Sequence, residues 1–269
     1  MITSTRIGRN GNTCNSMFQL AAVIGMSKKT GIEYCIPRNK TYYDVNYQCN
    51  NNSIFDGFDI NVSELDLGII KFKEVEFPFE YANISIKDFT DMVGYFQSEK
   101  YFQYAKQEVR DQFNFKSSVK EIVDDKIASG YYPDPATCTS IHIRLGDYTV
   151  KRNYHPAMTR EYYQTASKLA GSKNYMIFSD DIAACKHMLG SGSNIHYAEE
   201  VNPFSALYHM SLCGNHIICN STFGWWGSWL GEMDNPSEDK KIIAPFTWFG
   251  PGHYSYDPKD IIPDRWIKL

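Results

Sequence analysis

Ser140-Ile141-His142-Ile143-Arg144-Leu145-Gly146-Asp147-Tyr148 reads as a short buried strand that runs into a tight turn. Side chains alternate across a strand, so Ile141 and Ile143 face one side while His142 and Arg144 share the other. A strand that ends on a guanidinium, a glycine and a carboxylate has the chemistry of a ligand mouth, because open α/β sheets bind ligands just beyond the carboxyl ends of their strands. The plainer reading is an Arg144–Asp147 pair that serves structure alone. The stretch by itself leaves both open.

Beyond Thr139 the pattern is regular. Strands are expected at Ser140–Arg144, Tyr175–Phe178, Ile195–Tyr197, His216–Cys219 and Lys241–Ala244. Helices are expected between them at Thr159–Ala170, Asp181–Leu189, Pro203–Cys213 and Phe223–Gly231. This alternation argues a parallel, doubly wound α/β sheet.

Before it the chain is less regular. A glycine- and asparagine-rich loop, Gly8 to Asn12, opens a helix from about Asn15 to Thr30, with Met17, Leu20, Ala21 and Ile24 on one stripe and Gly31 as its stop. Free N–H groups at such a helix start suit an anion or a sugar, which makes Asn12 a candidate contact. A strand at Glu33–Ile36, a polar surface excursion over Asn39–Ser53 and strands at Ile69–Phe72 and Val75–Phe79 follow, the last an edge strand because of Pro78. Met92 to Ser98 reads as strand into turn, with Ser98 capping a helix, and a further helix is expected at Ser117–Ser129. Tyr131-Tyr132-Pro133-Asp134-Pro135 breaks regular structure and serves as the linker, giving domains 1–135 and 136–269.

The 269 residues, 43% of them hydrophobic, suffice for a full core in one large or two small domains. A net charge of −4 gives no global basic field, so nucleic acid and anionic membrane are not expected partners. Seven scattered cysteines without a Cys-x-x-Cys pair argue against a disulfide framework or zinc site. No run approaches the ~18 apolar residues of a membrane helix, and no signal-like segment follows Met1. The expectation is a soluble, cytoplasmic protein.

Three strand-to-helix turns carry unusual chemistry: His142/Arg144/Asp147, Phe178-Ser179-Asp180-Asp181, and Asn220-Ser221-Thr222-Phe223. Together they describe a phosphate cradle of an Arg fork, helix-terminal N–H groups and hydroxyls. Asp180 and Asp181 fit helix caps most simply, and otherwise the hydroxyls of a ribose or sugar. No Asp-x-Asp triplet occurs, which argues against a carboxylate-held metal. Trp225, Trp226 and Trp229 recur at helical spacing, as core or as a stacking surface for a sugar.

His142-Ile143-Arg144-Leu145-Gly146-Asp147-Tyr148, Phe178-Ser179-Asp180-Asp181 and the run Asn220 to Leu230 resemble, in order and spacing, three motifs of the α-1,2-fucosyltransferase family, glycosyltransferase family 11. Asn15-Ser16-Met17-Phe18-Gln19 and Tyr95 to Phe102 extend the resemblance into the first half. It implies two Rossmann-like domains facing a cleft, the GT-B arrangement. It also implies an inverting, metal-independent transfer of fucose from GDP-fucose, without further cofactor, to the 2-hydroxyl of a terminal galactose. Carried over by position, Arg144 would bind the diphosphate and His142 would line the donor pocket. Ser221, Thr222 and Phe223 would contact the phosphates and base. Ser179, Asp180, Asn220 and Asn12 complete the donor-side candidates. An acceptor glycan would be the partner, in a bacterial or viral protein.

This chain departs from the family pattern in three places. Leu145 stands where many relatives have a second Arg, Thr13 and Cys14 lengthen the opening loop, and Ala206 stands where an acidic residue able to pair with guanine is expected. The candidate general bases are Asp147 and His155. Asp147 otherwise holds Arg144 in place, and His155 is otherwise a loop residue. The competing functions are another nucleotide-sugar donor or fucose linkage on the same scaffold, and a non-catalytic glycan- or nucleotide-binding protein.

Overall fold

A computed structural model describes residues 1–9, 11–37, 53–65 and 71–269. Asn10 of the opening loop, positions 39–52 of the expected surface excursion and positions 69–70 of the expected strand Ile69–Phe72 lie outside the described residues. The chain divides into two compact units, Met1–Asn114 with Asp257–Pro263, and Phe115–Tyr256 with Asp264–Leu269.

The first unit contains, in chain order, β1 (Ile2–Thr3), α1 (Thr13–Thr30), β2 (Ile36–Pro37), α2 (Ile54–Gly57), β3 (Glu64–Leu65), β4 (Lys73–Glu76), β5 (Thr90–Val93) and α3 (Lys106–Gln112). Its strands pair in parallel, as β1-β5-β4 and β2-β3, and a parallel bridge from Ile2 to Tyr34 lies between the two sets. β4 stands at the edge of its set, but it runs Lys73–Glu76 and ends before Pro78, so of the expected strand Val75–Phe79 only Val75 and Glu76 are strand. Helix α1 is buried almost all round, from Ser16 through Met26. That is the signature of a central core helix rather than a surface stripe. Gly25 permits the contact, since a Cβ there would sit 2.2 Å from the Tyr101 carbonyl oxygen. Gly31 ends the helix at φ 73°, its N–H donating to the Ser27 carbonyl.

The second unit contains α4 (Ser117–Ala128), β6 (Cys138–Ile143), α5 (Arg160–Ala170), β7 (Asn174–Ser179), α6 (Ile182–Leu189), β8 (Ile195–Tyr197), α7 (Pro203–Ser211), β9 (Asn215–Ile217), α8 (Thr222–Asp234), β10 (Ile242–Ala244) and β11 (Ile267–Lys268). Six strands form one parallel sheet in the order β11-β10-β9-β6-β7-β8. Counted from β6 this is 3-2-1-4-5-6, the doubly wound Rossmann order. Ile141, Ile143, Ile177, Ile217 and Ile243 pack on one face of the sheet with Tyr163, Ala166 and Ala170 of α5 and Cys185 of α6. The His142 side meets α8, and α8 packs in turn on α7. Each expected strand and helix of this half is present within a few residues, and β11 is an addition.

The compact second unit begins at Phe115, upstream of the expected linker at 131–135. Val119 and Val123 of α4 are buried, the Ser205 hydroxyl of α7 donates to the Val119 carbonyl (2.9 Å), and Tyr208 donates to Asp124 (3.0 Å). Regular structure does break near Pro133, but Tyr132 within that break is buried. Among the described residues no helix is long and apolar enough to cross a membrane.

Candidate functional site

Strand order reverses between β6 and β9, which pair directly but feed helices on different faces of the sheet. A crevice opens where the two strand ends diverge. His142, Arg144, Phe178, Ser179, Asp180, Ala198, Glu200, Val201, Pro203, Ala206 and Phe223 line a cleft of about 340 Å³ there. The strand-end residues of β6 and β7 and Phe223 of α8, which the sequence singles out, are thus brought together in one unit.

Arg144 is held from two sides. Its Nε and Nη2 donate to Asp147 Oδ1 at 3.2 and 3.0 Å, and Asp180 Oδ2 lies 3.2 Å from Nε. Asp180 also accepts the Leu145 N–H (2.9 Å), so one carboxylate ties the end of β7 to the turn after β6. Gly146 makes room, because a Cβ there would approach Asp180 Oδ2 to 2.4 Å. Burial disfavours the guanidinium charge, but Asp180 and Asp147 outweigh it and raise the Arg144 pKa. Asp147 takes Nε and Nη2 and Asp180 takes Nε, so among the described residues neither carboxylate occupies Nη1. The helix cap falls to Asp181, whose Oδ1 accepts the Ala184 N–H (2.9 Å); Asp180, expected as a cap, orients Arg144 instead.

His142 is buried, with its ring 5.0 Å from that of Phe223 and its Nδ1 3.3 Å from Cys219 Sγ. Burial, reinforced by Arg144, lowers its pKa to about 3, so the imidazole is neutral. Ser221 flanks the start of α8 with extended backbone and makes no side-chain cap. The first N–H groups of α8 and the hydroxyls of Ser221 and Thr222 therefore form the anion-favouring end of a thirteen-residue helix beside Phe223.

Asn220 plays a different part from its neighbours. It is buried, its side-chain amide donates to the Trp248 carbonyl (2.9 Å), and its own carbonyl accepts from the Tyr148 hydroxyl (2.8 Å). It fixes the turn between β9 and α8. Tyr148 lies under Arg144, with 6.0 Å from the guanidinium carbon to the ring centroid. The His155 ring stacks on that of Tyr148, 5.0 Å between centroids and 15° between planes, and also touches His253 and Phe249. His155 is not among the residues that line the cleft, and its Nδ1 is buried with no hydrogen-bond partner among the described residues. Asp147 is 42% exposed and close to Lys151 as well as Arg144. Asn12 stands at the start of α1 in the first unit and makes no side-chain cap. Trp225, Trp226 and Trp229 are fully buried core.

Sequence reasoning missed Glu200, Tyr148 and Cys219. Glu200 closes the cleft wall near Ala206, its side chain buried with Oε1 3.2 Å from His209 Nδ1 and 3.9 Å from Lys126 Nζ. Burial pushes its carboxyl up, but His209 and the Tyr132 hydroxyl outweigh this and lower its pKa. The one signal available was its place just after a strand end, β8. Among the described residues no group of three or more His, Cys, Asp or Glu side chains is placed to hold a metal ion.

Two parallel α/β units with a crevice at the switch point of the second match known folds. Fucosyltransferase NodZ from Bradyrhizobium superposes with a TM-score of 0.55 at 11% identity, over 84% of this chain and 92% of NodZ. POFUT1 in complex with GDP-fucose gives 0.53 at 11%, over 90% and 96%. The protein is thus of the GT-B-like α/β class. The model of glycosyl transferase family 11 matches residues 2–268, and the chain belongs to that family. The expected family and fold class are both borne out. The O-antigen biosynthesis glycosyltransferase WbnK of Escherichia coli is 27% identical over 71% of this chain, and an alpha-1,2-colitosyltransferase of Escherichia coli is 29% identical over 70%. The matched region spans 65% of each of those relatives. The galactoside alpha-(1,2)-fucosyltransferase 1 of Mico humeralifer is 22% identical over 64% of this chain.

Proposed function

We propose that this protein is an inverting, metal-independent glycosyltransferase that moves fucose from GDP-fucose to the 2-hydroxyl of a terminal galactose. The observation that carries the reading is Arg144, braced by Asp147 and Asp180 at the switch point through Nε and Nη2, with Nη1 clear of both carboxylates, beside the start of α8, where Ser221 makes no side-chain cap. A departing diphosphate gains negative charge as the bond from the sugar C1 to the phosphate oxygen breaks. Charge that develops only then is best met by rigid donors already in place. The acceptor hydroxyl attacks C1 from the opposite face, inverting it, and its proton passes to a general base, for which Asp147 and His155 are the candidates. Neither is among the residues that line the cleft: Asp147 is paired with Arg144, and His155 packs against Tyr148. The α-1,2 linkage is supported by the names of two relatives, one of which acts on galactosides.

The experiment is nucleotide release from a panel of sugar donors with galactose-ended acceptors, with and without EDTA. GDP release from GDP-fucose that survives EDTA and falls at least 10²-fold in Arg144→Ala is expected. Turnover that EDTA abolishes would refute the metal-independent reading. A colitosyl relative at 29% identity favours one second reading, transfer of nucleotide-activated colitose. Turnover with that donor and not with GDP-fucose would establish it. Binding of glycan by a folded protein that turns over no donor would leave only the non-catalytic alternative.

A further inference from the structure

We infer that Cys219 is a positioning residue: its thiol fixes the tautomer of His142 so that the ring offers an Nε2–H donor to the ligand in the cleft. The geometry is a short relay. Cys219 Sγ lies 3.3 Å from His142 Nδ1, within hydrogen-bonding reach for sulfur. An unprotonated imidazole nitrogen is a far better acceptor than a thiol sulfur, so the bond runs from S–H to Nδ1, which must then be the unprotonated nitrogen. The single imidazole proton falls on Nε2, the ring's remaining polar atom, on a residue that lines the cleft. Burial raises the Cys219 pKa to about 12, which keeps the hydrogen on sulfur at neutral pH. Gly224 and Phe223 hold the ring in place. A Cβ on Gly224 would come within 2.8 Å of Nδ1, and the Phe223 ring lies 5.0 Å from the imidazole.

A neutral Nε2–H beside Arg144 suits an acceptor atom of a nucleoside diphosphate, a phosphate or ribose oxygen or a ring nitrogen or carbonyl of the base. The ligand half of the inference rests on the nucleotide-site reading above; the tautomer half does not.

The test is imidazole ¹⁵N NMR of the full chain, with the His142 signals assigned by their loss in His142→Gln, and GDP titrations of the same samples. The wild type should show Nδ1 unprotonated and Nε2 protonated. Cys219→Ser, which keeps a donor, should keep that tautomer and hold GDP affinity within about threefold. Cys219→Ala should mix the tautomers and weaken GDP about tenfold, while Arg144→Ala weakens GDP with the tautomer unchanged. A wild-type ring protonated on Nδ1, or a Cys219→Ala protein with unchanged spectrum and affinity, would overturn the inference. A wild type that shows the Nε2–H tautomer yet binds no GDP would overturn the nucleotide-site reading and the ligand half with it.

Discussion

At the scale of single residues, charge placement decides what this site can hold. Arg144 needs a planar fork to meet Asp147 and Asp180 and still present Nη1. Lysine keeps the charge but not the fork. Arg144→Lys should therefore weaken GDP about tenfold or more in calorimetric titration, a loss of one to two charge-assisted hydrogen bonds. Retained affinity would mean that the fork is not what binds. Two buried histidines carry a second prediction. Burial, with Arg144 near His142 and Lys240 near His216, lowers both pKa values from 6.5 to about 3. Between those limits the unfolded chain binds protons that the folded chain refuses. Stability is then full above pH 6.5 and falls as pH drops through the window, by at most about 1.4 kcal/mol per pH unit for each ring. Denaturant unfolding at pH 7.5 and 5.5 should show the loss, and equal midpoints would contradict it.

At the scale of elements, α8 shows why three glycines sit in one helix. Glycine costs about 1 kcal/mol in a helix interior relative to alanine, so each needs a packing reason. A Cβ on Gly231 would lie 2.5 Å from the Ser211 backbone carbonyl oxygen, and one on Gly227 would lie 2.7 Å from Met210 Sδ. Backbone cannot yield, whereas a methionine side chain can. Gly231→Ala should cost about 1–3 kcal/mol in chemical denaturation and Gly227→Ala distinctly less. The reverse order would refute this account of how α7 and α8 approach. Trp226, fully buried on the same helix, should cost about 3–5 kcal/mol when cut to alanine, which excludes it as an exposed sugar platform.

At the scale of the whole molecule, the second unit includes α4, although the sequence break lies downstream of it. Ser205 and Tyr208 of α7 bond to α4, and Val119 and Val123 are buried. We expect a fragment of residues 115–269 to stay folded and bind GDP, while one of residues 136–269 exposes the α4-facing surface of α7 and aggregates. Size-exclusion chromatography with GDP titration distinguishes the two. Equal behaviour would move the functional boundary back to the linker at 131–135.

The sequence by itself determined the parallel α/β class, since the alternation of apolar runs and capped helices after Thr139 admits little else. It also marked the strand-end residues of β6 and β7 and Phe223, because Arg, Asp and aromatic residues at such turns are costly without a use. Helix α1 was legible only as a stripe, its full burial coming from what surrounds it. Asp180 could not be told from a cap, because a carboxylate after a strand serves either end of a turn until a partner arrives from 35 residues away. Glu200, Tyr148 and Cys219 were illegible for the same reason. Their roles depend on His209, Asn220 and His142, which are brought beside them only when the sheet closes at its switch point.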